Sequence, residues 1–243
     1  MAINDPITED EGDHEIPPPS AERVAHRALI LAAVACRGSI DGNPASSTLA
    51  QSVQDWVFTS GLSEELSGWE RRLLETPFGN LVAGDRINAS WLSEALTILA
   101  WSLNKVELPS FEEQCDPSAT AGRLGFLNPL NATCLNRPVL RPLDVLRDYN
   151  RFVYNLHWRI RDFSLFQRPY DFESLARKAW GEPIQRYGLT LVENDIAVGG
   201  VPIFRAEKSA LANVTSITQE RHRASNWLIG YESEDFYEVT TDT

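Results

Sequence analysis

The sequence predicts a mainly α fold: a single helical domain with one small β-hairpin, preceded by a disordered acidic arm. Along most of the chain, apolar residues recur at spacings of three and four, the period of an amphipathic helix. The pattern becomes strand-like only at residues 189–204, around Gly199-Gly200, a two-residue hairpin signal. Residues 1–19 are polar and acidic and end in three prolines, which is typical of disorder. Residues 20–243 therefore form the predicted domain.

The first four helices are bounded by polar capping residues and by glycine or proline. Ser20 is predicted to cap a helix that runs to Arg37 and ends at Gly38. The following helices are predicted from a Thr48-x-x-Gln51 box to Thr59, from a Ser67-x-x-Glu70 box to a stop before Pro77, and from Ser90 to Leu103.

The second half of the chain begins with residues 105–140, which contain four prolines and no clear period, so we expect a long connection with short turns. Pro142 then opens the longest predicted helix. Later helices are predicted from Asp171 to about Trp180, ended by Gly181 and Pro183, and from a Ser216-x-x-Gln219 box to Gly230. Pro202 predicts an edge strand, and aromatic residues predict that the last 13 residues pack on the body.

The formal net charge of −12 is concentrated at the two ends of the chain. Residues 1–20 carry six acids and residues 231–243 carry five, and neither segment contains a Lys or Arg. Residues 21–230 hold 23 acids against 22 bases. A neutral body with acidic ends argues against a nucleic-acid partner, because phosphate backbones are bound by basic surfaces.

Residues 137–186 form the one basic region, with ten bases against six acids. On helices, most of these charges are expected to form a solvated face with pairs four residues apart. The alternative is a site for an anionic ligand or an acidic partner, including the protein's own tails.

Cys36, Cys115 and Cys134 have neither disulfide-framework nor zinc-ribbon spacing. The chain shows no secretory signal pattern and no apolar run of membrane-spanning length, so we expect a cytoplasmic protein without a membrane partner. Nucleotide-binding and hydrolase fingerprints are absent from the sequence, and no cofactor or metal is predicted.

Two short helical runs concentrate the residues that can carry chemistry, one at residues 157–162 and one at residues 220–228. Histidine and carboxylate side chains are general acids, bases or ligands, whereas Arg and Trp bind anions and aromatic or cationic groups. The catalytic candidates are His157, Asp162, Glu220 and His222, and the ligand-binding candidates are Arg161, Arg221, Arg223 and Trp227.

Glu94 is a further polar residue at a predicted apolar position, three residues after Trp91 and four before Ile98. A buried carboxylate needs a partner. A structural Arg pair is the preferred explanation, and catalysis is the alternative.

Several of these clusters occur in an order that resembles a bacterial family, the Domain of Unknown Function 4272 family. The resemblance covers most of residues 21–243 and implies a mainly bacterial, cytoplasmic protein without bringing a reaction or a ligand. It is carried by residues 23–37, Ser90-Trp91 with Glu94-Ala95-Leu96 and Trp101, His157-Trp158-Arg159 with Arg161-Asp162, the Gly-Gly hairpin, residues 220–228 and Thr241-Asp242-Thr243.

Three functional hypotheses remain, and the first is preferred. In the first, the chain is a non-enzymatic protein-interaction or regulatory domain whose polar clusters are internal networks, and a protein partner binds elsewhere. In the second, the clusters form a hydrolase-type site in which His157 or His222 serves as base or metal ligand, beside Glu220 or Asp162. In the third, the basic region makes the chain a sensor of an anionic small molecule or peptide. The oligomeric state is not predicted.

The position of two residues separates the first two hypotheses. An enzyme requires His157 and Glu220 to reach an open cleft, with Arg161 and Arg221 holding an anionic substrate. An interaction domain requires them to be enclosed and hydrogen-bonded.

Overall fold

The computed structural model describes residues 16–128, 133–180 and 187–243. Residues 1–15 of the predicted acidic arm lie outside this described part of the chain. The mainly α fold is confirmed. The described elements are helices α1 (Ala21–Ile40), α2 (Ser47–Thr59), α3 (Gly68–Glu75), α4 (Ala83–Ser102), α5 (Pro117–Leu124), α6 (Leu143–Phe166), α7 (Phe172–Trp180) and α8 (Lys208–Leu228), and strands β1 (Leu191–Val192), β2 (Asp195–Val198) and β3 (Val201–Pro202).

Helices α1 and α4 pack against each other at the centre of the molecule. The middle of α1 is apolar on every side, and residues 28–35 are all buried. Ser20 caps this helix as predicted, accepting from the backbone N–H of Arg23. The predicted stop at Gly38 is wrong because Gly38 lies inside α1. A Cβ at Gly38 would stand 2.6 Å from the Cβ of Ala89, so this glycine lets α1 and α4 touch.

The capping signals of the next two helices have different outcomes. Ser67 and Glu70 form the predicted capping box at the start of α3. The predicted Thr48 box is wrong, since α2 begins at Ser47 directly after a 3-10 turn. The chain passes directly from this 3-10 turn into α2, which begins without a side-chain cap.

Helix α4 begins earlier than predicted, and helix α5 was not predicted. Helix α4 begins at Ala83 instead of Ser90, after Val82, a residue without a capping side chain. Helix α5 lies inside the predicted long connection, where Asp116 accepts from the backbone N–H of Ala119. That connection is therefore interrupted by a helix.

Helices α6 and α7 follow their predictions. Pro142 precedes the 24-residue helix α6, which is the longest helix in the described ranges. Asp171 caps α7 by accepting from the backbone N–H of Ser174. The predicted end of this helix, at Gly181 and Pro183, lies outside the described residues.

The predicted hairpin is part of a three-stranded antiparallel sheet with the order β1-β2-β3. Gly199 and Gly200 connect β2 and β3 as predicted, with φ angles of 62° and 77°. Glu193 and Asn194 connect β1 and β2 with φ angles of 55° and 64°. The single predicted hairpin is therefore corrected to two hairpins that share β2. Strand β3, with Pro202, lies at an edge as predicted.

Helix α8 is longer at its N-terminus than predicted. It begins at Lys208, and Ser216, the predicted cap, donates from within the helix to the carbonyl of Ala212. The helix ends close to Gly230, as predicted. Residues 231–243, which we call the C-terminal tail, bury Phe236 and Val239 against the body, as expected.

Candidate functional site

Helix α8 directs three successive polar side chains to three different sides of the helix. Adjacent residues on an α-helix point about 100° apart, so Glu220, Arg221 and His222 face different directions. Arg221 contacts α4, His222 contacts α6, and Glu220 lines a cleft on a third side. The candidate residues therefore fall into separate groups.

His157 of α6 and His222 of α8 face each other inside the molecule. Their Nδ1 atoms lie 3.0 Å apart, and their rings meet edge to face with centroids 5.2 Å apart. The exposed fractions of the two residues are 7% and 1%. Since one Nδ1 must donate and the other accept, at least one ring is neutral. Each histidine uses a ring nitrogen to bind the other.

Burial keeps both histidines neutral at neutral pH. It lowers the pKa of His157 to about 4, and the charge of Arg161 acts in the same direction. Burial, with a smaller effect of His157, lowers the pKa of His222 to about 3. The Nε2 of His222 has no hydrogen-bond partner among the described residues. Because buried unpaired N–H groups are rarer than unpaired acceptors, we assign the proton of His222 to Nδ1.

Arg159 of α6 connects that helix to the sheet. Its guanidinium is fully buried and donates to both carboxylate oxygens of Asp195, at 2.8 and 2.6 Å. It also donates to Asp162, at 2.9 Å, and to the carbonyl of Arg168. Asp162, one of the catalytic candidates, is therefore part of an enclosed ion-pair network.

Arg221 of α8 forms a second buried network. It donates to Glu94 of α4 at 3.0 Å and to the carbonyls of Ser110 and Glu113. The other oxygen of Glu94 accepts from the backbone N–H of Cys115. The predicted Arg partner of Glu94 is thus confirmed, and the pair fixes the loop before α5 to α4 and α8.

Arg161 and Trp227 lie in opposite environments. Arg161 is on the exposed side of α6. Trp227 is 2% exposed, donates from its indole to the carbonyl of Glu234 and meets the ring of Phe236 edge to face. Trp227 therefore anchors the C-terminal tail and leaves no free ring surface for a ligand.

Part of the basic region between residues 137 and 186 is neutralised by acids. The buried Arg159 belongs to the network described above, and Arg186 lies outside the described residues. Three surface residues, Arg141, Arg168 and Arg177, pair with Glu107, Asp162 and Glu173 respectively.

Glu220 and Arg223 line an open cleft of about 610 Å³ between α3, α4, α8 and the C-terminal tail. Arg223 donates to both carboxylate oxygens of Glu220, at 3.0 and 2.9 Å. Three aromatic side chains stand around this pair, and we call the site the aromatic cleft. Its lining consists of Trp69, Ile87, Asn88, Trp91, Leu92, Ser216, Gln219, Glu220, Arg223 and Tyr237.

Tyr237 is fixed as one wall of the aromatic cleft. Its ring meets Trp69 edge to face at 5.7 Å, and its hydroxyl donates to Glu70 at 2.8 Å. Glu70 also accepts from Arg27 at 2.6 Å. Burial, with the charge of Glu70 beside it, raises the pKa of Tyr237 well above its usual range. The hydroxyl is therefore held protonated as a donor.

Glu220 and Trp91 also line the aromatic cleft and keep polar groups that a ligand can reach. Burial raises the pKa of Glu220 against the opposing charge of Arg223, and the charge of Glu94 raises it further. Burial therefore disfavours the charged carboxylate despite the nearby Arg223. Trp91 is half-buried, and its indole makes neither a hydrogen bond nor a ring contact within the described residues. A half-buried indole N–H is available to a ligand.

Two further cavities lie beside cysteines. One of about 620 Å³ borders Cys115, and a mainly apolar one of about 430 Å³ borders Cys36. Burial, with the charge of Glu94 in addition, raises the pKa of Cys115 to about 11, and burial raises that of Cys36. Protonated thiols are poor nucleophiles, so neither cavity presents an activated cysteine.

The described residues contain no group of three or more His, Cys, Asp or Glu side chains placed to hold a metal ion. Among the described helices, none combines the length and apolarity needed to cross a bilayer. The aromatic cleft offers a carboxylate, a guanidinium and aromatic surface.

A model of the family described as Domain of unknown function (DUF4272) matches residues 2–175. The matched residues include Trp69, Trp91, Glu94 and His157. Helix α8 and the C-terminal tail lie beyond the match, although the resemblance stated above included residues 220–228 and 241–243. No curated protein and no solved structure matches the chain.

Proposed function

The chain belongs to the family described as Domain of unknown function (DUF4272), and we propose that it is a non-enzymatic protein-interaction domain whose partner binds in the aromatic cleft. The resemblance to a bacterial family and three free cysteines support a place in the bacterial cytoplasm.

One observation carries the proposal: the histidines and the open cleft are on different sides of α8. His157 and His222 are enclosed and bonded to each other, whereas Glu220 faces the cleft. The group in the cleft able to accept a proton at neutral pH is thus a carboxylate already paired with Arg223. Recognition needs no more than this, but acid–base catalysis needs a positioned and unoccupied base.

The alternative hypotheses lack their required geometry in the described residues. The hydrolase hypothesis needs His157 and Glu220 to reach an open cleft, with Arg161 and Arg221 holding an anion. His157 is buried against His222, and Arg221 is bound to Glu94. The sensor hypothesis needs bases of residues 137–186 to gather at an open site. None of these bases is among the described lining residues of the three cavities.

The composition of the aromatic cleft supports a protein partner. Trp, Tyr and Arg are the residues that most often dominate binding energy at protein interfaces. Ile87, 56% exposed, adds apolar surface at the rim. A partner segment that covers Ile87 and enters between the aromatic walls would bury them.

Site-specific photocrosslinking in cells tests the proposal. A benzophenone amino acid replaces Ile87 in one variant and Val139 in the control, an exposed residue near the opposite end of α4. We expect a discrete crosslinked protein from position 87 and not from position 139. The purified partner should then bind the wild-type chain and lose at least tenfold in affinity to Trp91→Ala, about 1.4 kcal/mol.

Two results would contradict the proposal. The first is identical crosslinking from positions 87 and 139. The second is turnover of p-nitrophenyl phosphate or p-nitrophenyl acetate that His157→Asn abolishes while the variant remains folded.

A further inference from the structure

We propose that the aromatic cleft receives a basic side chain, an arginine or a lysine, from the partner segment. This inference rests on the proposed function, because it names the chemistry of what that function binds. The cation would lie between Trp69 and Trp91 and pair with Glu220.

Trp69 and Trp91 line the aromatic cleft, and an indole ring can bind a cation. Elsewhere, Arg141 stacks on Trp101 at 4.9 Å and Arg23 lies over Trp227 at 5.9 Å. In the described part of the chain, no arginine or lysine stacks on Trp69 or Trp91. Tryptophan is the strongest cation–π acceptor among the side chains, so two open indoles beside a carboxylate favour a cationic ligand.

The charges around the aromatic cleft also favour a cationic ligand. Glu220 is 14% exposed at its side chain, and one arginine partly compensates its charge. A second carboxylate, Asp85, accepts from the indole N–H of Trp69 at 3.0 Å. The charged residues of the described lining are Glu220 and Arg223, and Asp85 adds a second acid behind the Trp69 wall. The whole chain, with its net charge of −12, attracts basic partners before contact as well.

Arg223 occupies the carboxylate that the incoming cation would use. It lies three residues after Glu220 on the same helix, and its side chain is 23% exposed. The pair is partly buried, so a ligand that displaces Arg223 must itself pair with Glu220, which a cation can do. Arg223 is thus an internal competitor, and removing it should strengthen the binding of a cation.

An anionic ligand would meet the opposite conditions. Only Nη1 of Arg223 donates to Glu220, so an anion that reached the other N–H groups of Arg223 would lie beside the Glu220 carboxylate, a like charge. A purely apolar ligand would cover the polar groups of Asn88, Ser216 and Gln219 in the lining without replacing their hydrogen bonds to water. The cation is the ligand that satisfies the carboxylate and the indoles together.

Binding of capped tripeptides tests this inference. The probes are acetyl-Gly-Arg-Gly-amide, its lysine analogue, its uncharged citrulline isostere and its glutamate analogue. Binding is followed through the indole N–H signals of Trp69 and Trp91 in heteronuclear NMR spectra, with Trp101 as an internal control. We expect the arginine and lysine peptides to bind at about millimolar Kd and the citrulline peptide about tenfold more weakly.

The signs of two matched substitutions make the test specific. Glu220→Gln should reduce the affinity for the arginine peptide about tenfold, and Arg223→Gln should increase it about threefold. Chemical denaturation of both variants confirms that they are folded before binding is compared. An anion site would reverse both signs, with the glutamate peptide binding best, and would overturn the inference.

The failure of this inference can be distinguished from the failure of the proposed function. Equal binding of the arginine and citrulline peptides, or no shift of either cleft indole up to about 20 mM peptide, overturns the cation. If the protein crosslinked from position 87 still loses affinity to Trp91→Ala, the interaction function stands with a different ligand chemistry. If that protein is not captured either, both proposals fail.

Discussion

The histidine pair between α6 and α8 predicts that the native state loses stability as the pH falls below neutrality. His157 and His222 have an ordinary pKa of 6.5 when unfolded and pKa values of about 4 and about 3 when folded. Between these values the unfolded chain binds more protons than the native one. The stability contribution of the neutral pair is therefore complete above pH 6.5 and is lost progressively toward pH 4.

The magnitude follows from the two pKa shifts. At about pH 5 both histidines are protonated in the unfolded chain and neutral in the native one, so each costs about 2 kcal/mol relative to pH 7.5. The pair should therefore lower the free energy of unfolding by roughly 4 kcal/mol over this interval. That is a large share of the stability of an ordinary domain. Double protonation would also force two N–H groups to face each other across the Nδ1 contact of 3.0 Å.

Urea denaturation at the two pH values, followed by circular dichroism and tryptophan fluorescence, measures the change. The control is the double variant His157→Asn/His222→Asn, in which one amide can donate to the other in place of the two Nδ1 atoms. All carboxylates are common to both proteins, so the difference between their pH dependences belongs to the histidines. If wild type and double variant lose the same free energy of unfolding, the histidines are not buried and neutral, and the reasoning is refuted.

Three further predictions concern contacts that hold the fold. Asp195→Asn leaves Arg159 without its bidentate partner and should lower the free energy of unfolding by about 3 kcal/mol, as measured by urea denaturation. Gly38→Ala forces its new Cβ against Ala89 and should cost about 2 kcal/mol in the same assay, despite the better helix propensity of alanine. Trp227→Phe removes the indole hydrogen bond to the C-terminal tail and should cost about 1 kcal/mol and speed proteolysis of that tail.

Each of these predictions has a matched control. Arg177→Gln removes an exposed pair and should change stability by less than about 0.5 kcal/mol. Gly68→Ala adds a Cβ that meets nothing within 4 Å and should not destabilise. Trp158→Phe should leave the proteolysis of the C-terminal tail unchanged, because its ring contacts Tyr170. A control that behaves like its partner variant would show that the contact named is not the cause.

The sequence predicted helices well where a local side chain forms the boundary. Ser20, Ser67 and Asp171 each accept from a backbone N–H within three residues, and each begins a helix as expected. The prediction failed for α4 and α8, whose caps, Val82 and Glu207, make no side-chain hydrogen bond. The first turns of both helices are exposed or only partly buried, so neither a capping side chain nor an apolar stripe marks where they begin.

Helix α5 was missed although its signal is present. Asp116 followed by Pro117 is a capping residue before a proline at the first helical position. Four prolines in residues 105–140 favoured a connection, and eight helical residues are too few for a clear apolar period.

The candidate site was only partly accessible from the sequence. Burial of Glu94 followed from its position on an apolar helix face, but its partner Arg221 lies 127 residues away. Glu220 and Arg223 were named, whereas the aromatic walls come from three other segments. Trp69, Trp91 and Tyr237 meet only after α3, α4 and the C-terminal tail have packed. Local sequence carries no signal for such an assembly.

The attachment of α8 to both α4 and α6 has a consequence for the proposed binding of a partner. A screw motion of this helix, by rotation or by a one-turn slip, would break the contacts of Arg221 with Glu94 and of His222 with His157 together. Because Glu220 belongs to the same helix, the core contacts of α8 fix the position of this wall of the aromatic cleft. The entropy of ordering the cleft is therefore lost during folding and not on association. We therefore expect the aromatic cleft to admit side chains only up to a fixed size, with little backbone movement on binding.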